Sequence, residues 1–197
     1  VAWYVWLTSK EVTKTNPKDQ FKNLIWSDEF NDNGAIDSSN WIHEVGDKWF
    51  NDEVQSYTSR LDNSKVEDGK LKIIAKKESY NGNNYTSARI ISNTKKDFTY
   101  GRVDIKAKMP GKIGTWPALW LLGSNFRTVT WPACGEMDIL EAAQSNNFRV
   151  QSTVHHPDNY GSGDSHITQE YTDITEKFHI YSLVWTKHAL TFYVDDK

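Results

Sequence analysis

Apolar and polar residues alternate with a period of two along this chain, in short stretches with turn-forming residues between them. The plainest case is Gly101–Met109. Val103, Ile105, Ala107 and Met109 fall on one face and Arg102, Asp104, Lys106 and Lys108 on the other. Successive side chains of an extended chain point to opposite faces, so this pattern specifies a half-buried strand. Lys70–Lys77, His179–Trp185 and Leu190–Val194 are further strand candidates, the last two rich in aromatic and β-branched residues. Asn31–Gly34, Glu67–Gly69, Asn81–Asn84 and Pro157–Gly163 carry the Asn, Asp, Gly and Ser of turns. Helical periods with caps are nearly absent; Thr172–Lys177 has room for one short turn of helix. Many short strands separated by turns predict an all-β fold, an antiparallel sandwich of two sheets.

A length of 197 residues suits one domain with a sizeable core. The net charge of -3 gives no reason to expect a nucleic-acid partner, and no stretch approaches the length of a membrane span. Residues 1–7, VAWYVWL, are apolar and precede a polar segment. They fit the tail of a signal segment or an extra strand, so residues 1–20 are set apart from the domain at 21–197. The single cysteine, Cys134, excludes an intrachain disulfide and a cysteine-based metal cluster. Nine Trp, nine Tyr and eight Phe make 13% of the chain. They fit a core of large side chains, and equally a groove that stacks the apolar faces of sugar rings while indole N–H groups donate hydrogen bonds.

The segment that carries chemistry is Trp131–Glu141, WPACGEMDILE, with carboxylates at Glu136, Asp138 and Glu141. In a regular strand Glu136 and Asp138 share a face and Glu141 takes the opposite one. One inserted residue, a β-bulge at Ile139–Leu140, returns Glu141 to the face of the other two. Exposed strands often carry acids. Here the flanking residues Met137, Ile139, Leu140, Ala142 and Ala143 are small or apolar, which suits an inner strand. Carboxylates in such a place are costly unless they are used or shared. Two carboxyls roughly 5–5.5 Å apart across one sugar bond are the geometry of a retaining glycosidase. A third between them would raise its neighbours' proton affinity by like-charge repulsion.

Glu136-Met-Asp138-Ile-Leu-Glu141 resembles the ExDxxE signature of glycoside hydrolase family sixteen, in its bulged, laminarinase-like form. Gly114–Gly123 (GTWPALWLLG) and Trp131–Gly135 resemble the blocks that precede it. Asp28–Phe30, Asn51–Thr58, Tyr85–Pro110, Thr153–His155 and Phe178–Asp195 resemble others, in the expected order over residues 21–197. The resemblance implies a β-jelly-roll sandwich with a concave glucan groove, and retaining endo-hydrolysis of β-1,3-glucosidic bonds. It implies Glu136 as nucleophile, Glu141 as acid/base and Asp138 as the helper between them. Trp116 and Trp120 would shape the sugar subsites. Asn51, Glu53 and Arg89 would hydrogen-bond glucose hydroxyls, and Trp131 and His155 would line the groove. Each also has a plainer reading. Trp116, Ala118 and Trp120 share one strand face, either groove or packing; Arg89 could pair with a nearby acid; His155 and His156 must face opposite ways.

The resemblance also implies a secreted, periplasmic or cell-surface monomer whose partner is a β-glucan polysaccharide. Mixed-linkage glucan is a second substrate to consider. Agar- and carrageenan-type galactans are alternatives, as is a non-catalytic glucan-binding protein on the same fold. No cofactor or catalytic metal is expected to be required. Family members often hold a structural calcium near the N-terminal block, for which Glu29 offers half a site. The Asp of the family's final strand has no counterpart here, which puts that calcium in doubt and leaves the domain expected to lack its usual last strands.

Overall fold

The computed structural model describes residues 2–7, 20–143, 149–161 and 166–197. Its strands in chain order are β1 (Ala2–Leu7), β2 (Asn23–Asp28), β3 (Ile42–Glu44), β4 (Gln55–Tyr57), β5 (Ser64–Val66), β6 (Leu71–Ile73), β7 (Lys76–Tyr80) and β8 (Asn83–Ser87). There follow β9 (Arg89–Ile91), β10 (Gly101–Ala107), β11 (Ala118–Leu122), β12 (Glu136–Glu141), β13 (Arg149–His155), β14 (His166–Glu170), β15 (His179–Trp185) and β16 (Leu190–Val194). The chain forms two compact units, one mainly of residues 28–97 and the other mainly of residues 98–197 with the first two strands. Among the described residues no helix is long and apolar enough to cross a membrane.

In the larger unit, a five-stranded sheet has the order β16-β15-β10-β1-β2 and a four-stranded sheet the order β11-β12-β13-β14. The apolar N-terminal segment therefore forms a strand, between β10 and β2. Strand β12 lies against β15, which brings the two sheets together over a common core. Ile139 and Leu140 of one sheet and Val103, Ile105, Ala107, Tyr181 and Leu183 of the other are buried there. Strand β10 shows why the alternation was decisive: each of its predicted inward residues, and Met109 beyond it, is buried. Thr172–Lys177 makes a single turn, in which the amides of Glu176 and Lys177 both donate to the Asp173 carbonyl at 2.9 Å.

Two expectations need correction. Arg102, assigned to the polar face of β10, is only 2% exposed. Its guanidinium reaches Asp104 and Asp196 at 2.6 Å each and the Ser182 hydroxyl at 3.2 Å. A buried cation is tolerable only with such partners, and Asp196 is remote in sequence, so alternation could not reveal it. Lys70–Lys77 is not one strand, for β6 ends at Ile73 and β7 starts at Lys76. Asn63 takes both backbone groups of Ile74: the Ile74 amide donates to the Asn63 carbonyl at 2.8 Å and Asn63 Nδ2 donates to the Ile74 carbonyl at 3.1 Å.

The smaller unit holds a three-stranded sheet of order β4-β8-β7 and the pairs β3-β9 and β5-β6. Strands β4 and β8 run parallel. The β7–β8 hairpin turns on Asn81 and Gly82, both at positive φ, as the Asn-Gly dipeptide predicts.

Candidate active site

Strand β12 is threaded between β11 and β13, and the register sets its chemistry. Glu136 pairs with His155, Asp138 with Thr153 and Glu141 with Gln151. Residues 151, 153 and 155 alternate along β13 and so share a face. Glu136, Asp138 and Glu141 therefore share it too. This is possible because the ladder slips between Asp138 and Glu141, a bulge where the sequence placed it. On the other side Leu122, Trp120 and Ala118 face Glu136, Asp138 and Glu141 in turn. Both bulge residues are buried, with Ile139 at 2% and Leu140 at 0% exposure. The Ser152 hydroxyl donates to the Ile139 carbonyl at 2.9 Å inside the bulge. Behind the row, Gly123 is obligatory: a Cβ there would lie 2.0 Å from the Cys134 carbonyl oxygen.

The acids differ in surroundings. Asp138 is buried, while Glu136 and Glu141 are partly open. Burial first, then the charges of Glu136 and Glu141, push Asp138 up to about 9, and its hydrogen bond with Glu136 acts the same way. At neutral pH Asp138 is thus a neutral acid, able to donate to Glu136. Its Oδ2 lies 3.3 Å from His155 Nε2, in contact but too poorly aligned for a hydrogen bond. Burial also raises the Glu141 carboxyl, opposed by hydrogen bonds from Trp116 and Thr153. Trp116 Nε1 donates to Oε1 of Glu141 at 3.1 Å and the Thr153 hydroxyl to Oε2 at 3.3 Å.

The expected aromatic residues divide. Trp116 lies outside β11, so its link to Trp120 is not the common strand face expected. It reaches the acids through its indole N–H instead. Trp120 stands opposite Asp138, on the acids' face. Trp131, 44% exposed, meets His155 edge-on at 5.7 Å and Tyr160 at 5.4 Å between ring centroids. His155 faces the acids and His156 is exposed, as alternation requires. Tyr160, Thr153 and Gln151 were missed in the sequence reading. The signal for Gln151 and Thr153 was present, since they precede His155 by four and two residues on an alternating strand.

In the other unit, Asn51 is exposed at a φ of 57°. Glu53 accepts hydrogen bonds from Tyr57 Oη at 2.7 Å and from Gln55 Nε2. Arg89 Nε lies 2.6 Å from Glu44 Oε2, and its guanidinium sits 5.0 Å from the centroid of the Trp49 ring. Among the described residues, the group of acids and histidine close enough to hold an ion is Glu136, Asp138 and His155. Glu29, the acid a structural calcium would use, is not in it.

Residues 50–197 match the model of the glycosyl hydrolases family 16, and the chain belongs to that family. A β-glucanase of Rhodothermus marinus is 38% identical over 88% of this chain and 63% of its own length. A glucan endo-1,3-beta-glucosidase A1 of Niallia circulans is 37% identical over 94% of this chain and 30% of its own. The chain therefore spans less than two thirds of either curated relative. The laminarinase from Flavobacterium sp. UMI-01 superposes with a TM-score of 0.83 at 40% identity, covering 89% of this chain and 76% of that one. The fold is the family's all-β jelly-roll, its sheets mainly antiparallel.

Proposed function

We propose that the chain is a retaining endo-β-1,3-glucanase, with Glu136 as nucleophile and Glu141 as acid/base. The observation that carries this reading is the row Glu136–Asp138–Glu141 on one face of a bulged strand, with a buried Asp138 between two more open glutamates. Glu136 attacks the anomeric carbon while Glu141 gives its proton to the leaving oxygen, and a glycosyl ester forms. Asp138 donates to Glu136 beforehand and holds its carboxylate in one orientation. Once Glu136 is an ester its negative charge is gone. That charge raises the Glu141 carboxyl, so its loss favours the carboxylate form, which is the form needed to activate water in the second step.

The β-1,3-glucan assignment is supported by the likeness to the glucan endo-1,3-beta-glucosidase A1 and to the laminarinase. Trp116, Trp120, Trp131 and His155 are assigned to sugar contacts on the acids' face. Asn51, Glu53 and Arg89 are assigned to glucose hydroxyls, Arg89 by way of a guanidinium already oriented by Glu44. A polysaccharide does not cross a membrane unaided, which favours a site of action outside the cytoplasm.

The test is reducing-sugar release from laminarin, with mixed-linkage glucan and agarose in parallel, by wild type and Glu136→Gln. Laminarin cleavage abolished by the substitution is the expected result. Cleavage of agarose alone would overturn the substrate and keep the acids' roles. Binding of laminarin without cleavage by the wild type would favour a glucan-binding protein.

A further inference from the structure

Glu141 is held by two groups, and the second one has properties the first lacks. The Trp116 indole is a donor only. The carbonyl-type oxygen of a carboxylic acid is its better acceptor, so this bond favours Oε1 as the unprotonated oxygen. The exchangeable proton of Glu141 then sits on Oε2, and Oε2 faces Thr153. A hydroxyl both donates and accepts. Thr153 is 3% exposed, directly opposite Asp138, and one lone pair of its Oγ1 is occupied by Gln151 Nε2, which donates to it at 3.2 Å. With that lone pair filled, the hydroxyl proton is left to point at Glu141.

We propose that Thr153, aligned by Gln151, is the positioning residue of Glu141 and holds the carboxyl in both of its protonation states. To the carboxylate its hydroxyl donates. To the carboxylic acid it turns and accepts through its second lone pair, until the glycosidic oxygen takes that proton. The three side chains come from two adjacent strands, and the bulge is what brings them together. It sets Glu141 opposite Gln151, so that its carboxyl leans over the neighbouring Thr153. Trp116 alone could serve only the ionised form well. The other titratable groups facing Glu141 are Glu136, Asp138 and His155.

This rests on Glu141 being the acid/base, and the experiment separates the two claims. kcat/KM is measured against pH for wild type, Thr153→Val, Thr153→Ser, Gln151→Met and Glu141→Gln. The substrates are laminarin and 2,4-dinitrophenyl β-laminaribioside, whose leaving group departs without a proton. Thr153→Val should lower kcat/KM on laminarin by about tenfold or more and move its alkaline limb to higher pH, because a donor to the carboxylate is lost. On the dinitrophenyl substrate it should stay close to wild type. Thr153→Ser should restore both the rate and the limb. Gln151→Met should shift the limb the same way by less, and carries the test if Thr153→Val does not fold. Equal losses on both substrates, or an unmoved limb in both Thr153→Val and Gln151→Met, would overturn the proposal. Glu141→Gln cleaving laminarin at the wild-type rate would instead refute the acid/base assignment itself.

Discussion

The indole N–H of Trp116 donates to Oε1 of Glu141 at 3.1 Å, across 25 residues of sequence and from outside strand β11. A donor to a carboxylate stabilises the ionised form, so this bond opposes the rise that burial imposes on Glu141. Trp116→Phe keeps a ring and removes the donor. Glu141 should then hold its proton to higher pH, and the alkaline limb of the kcat/KM profile on laminarin should move upward. An unmoved limb would separate Trp116 from control of the acid.

Asp138 makes stability depend on pH with a definite sign. Its folded value, about 9, lies above the ordinary carboxyl value of 3.8 that the unfolded chain has. The folded state therefore binds the extra proton. The stabilisation is full below about 4 and is lost progressively as pH rises through about 9. Asp138→Asn does not titrate. Its Tm should match wild type near pH 4 and exceed it by a growing margin toward pH 9, at roughly 2–4 °C for each kcal/mol in a domain of this size. Glucanase activity should fall in the same variant. Thermal melts across that range check the first part; a Tm difference that is constant with pH would contradict it.

Inside the bulge, the Ser152 hydroxyl satisfies the Ile139 carbonyl. Ser152→Ala leaves a buried acceptor without that donor, which costs about 1–3 kcal/mol. Because the bulge turns Glu141 onto the acids' face, activity should drop more steeply than stability. Denaturant melts and laminarin assays on the same preparation compare the two.

Leu140 is fully buried at the same bulge, opposite Leu119. Leu140→Ala removes buried methyl groups and opens a cavity, at a cost of about 2–5 kcal/mol. Equilibrium urea unfolding should show the midpoint falling.

What the sequence discloses here follows the range of its signals. The period of two places β10, β15 and β16, and the mismatch between Glu136 and Glu141 in that period locates the bulge. Both are local rules, each written in a few neighbouring residues. The partners that give the acids their character are not local. Trp116 reaches Glu141 from a loop, Thr153 reaches it from the next strand, and Asp196 holds Arg102 from the far end of the chain. Such contacts depend on register and on how a loop returns, and neither is encoded in an alternation pattern. Ile74 makes the same point within a strand-like run: its amide continues the β5–β6 register at the Asn63 carbonyl, while its own carbonyl is taken by the Asn63 side chain.

Glu136 is the group that attacks the sugar in this mechanism. The most direct test is to trap the glycosyl-enzyme with a 2-deoxy-2-fluoro aryl β-laminaribioside, digest it, and map the added mass. A single fluoroglycosyl ester should form on Glu136 and be absent from Glu136→Gln. An ester on Asp138 or Glu141, or laminarin hydrolysis with inverted product configuration, would contradict it.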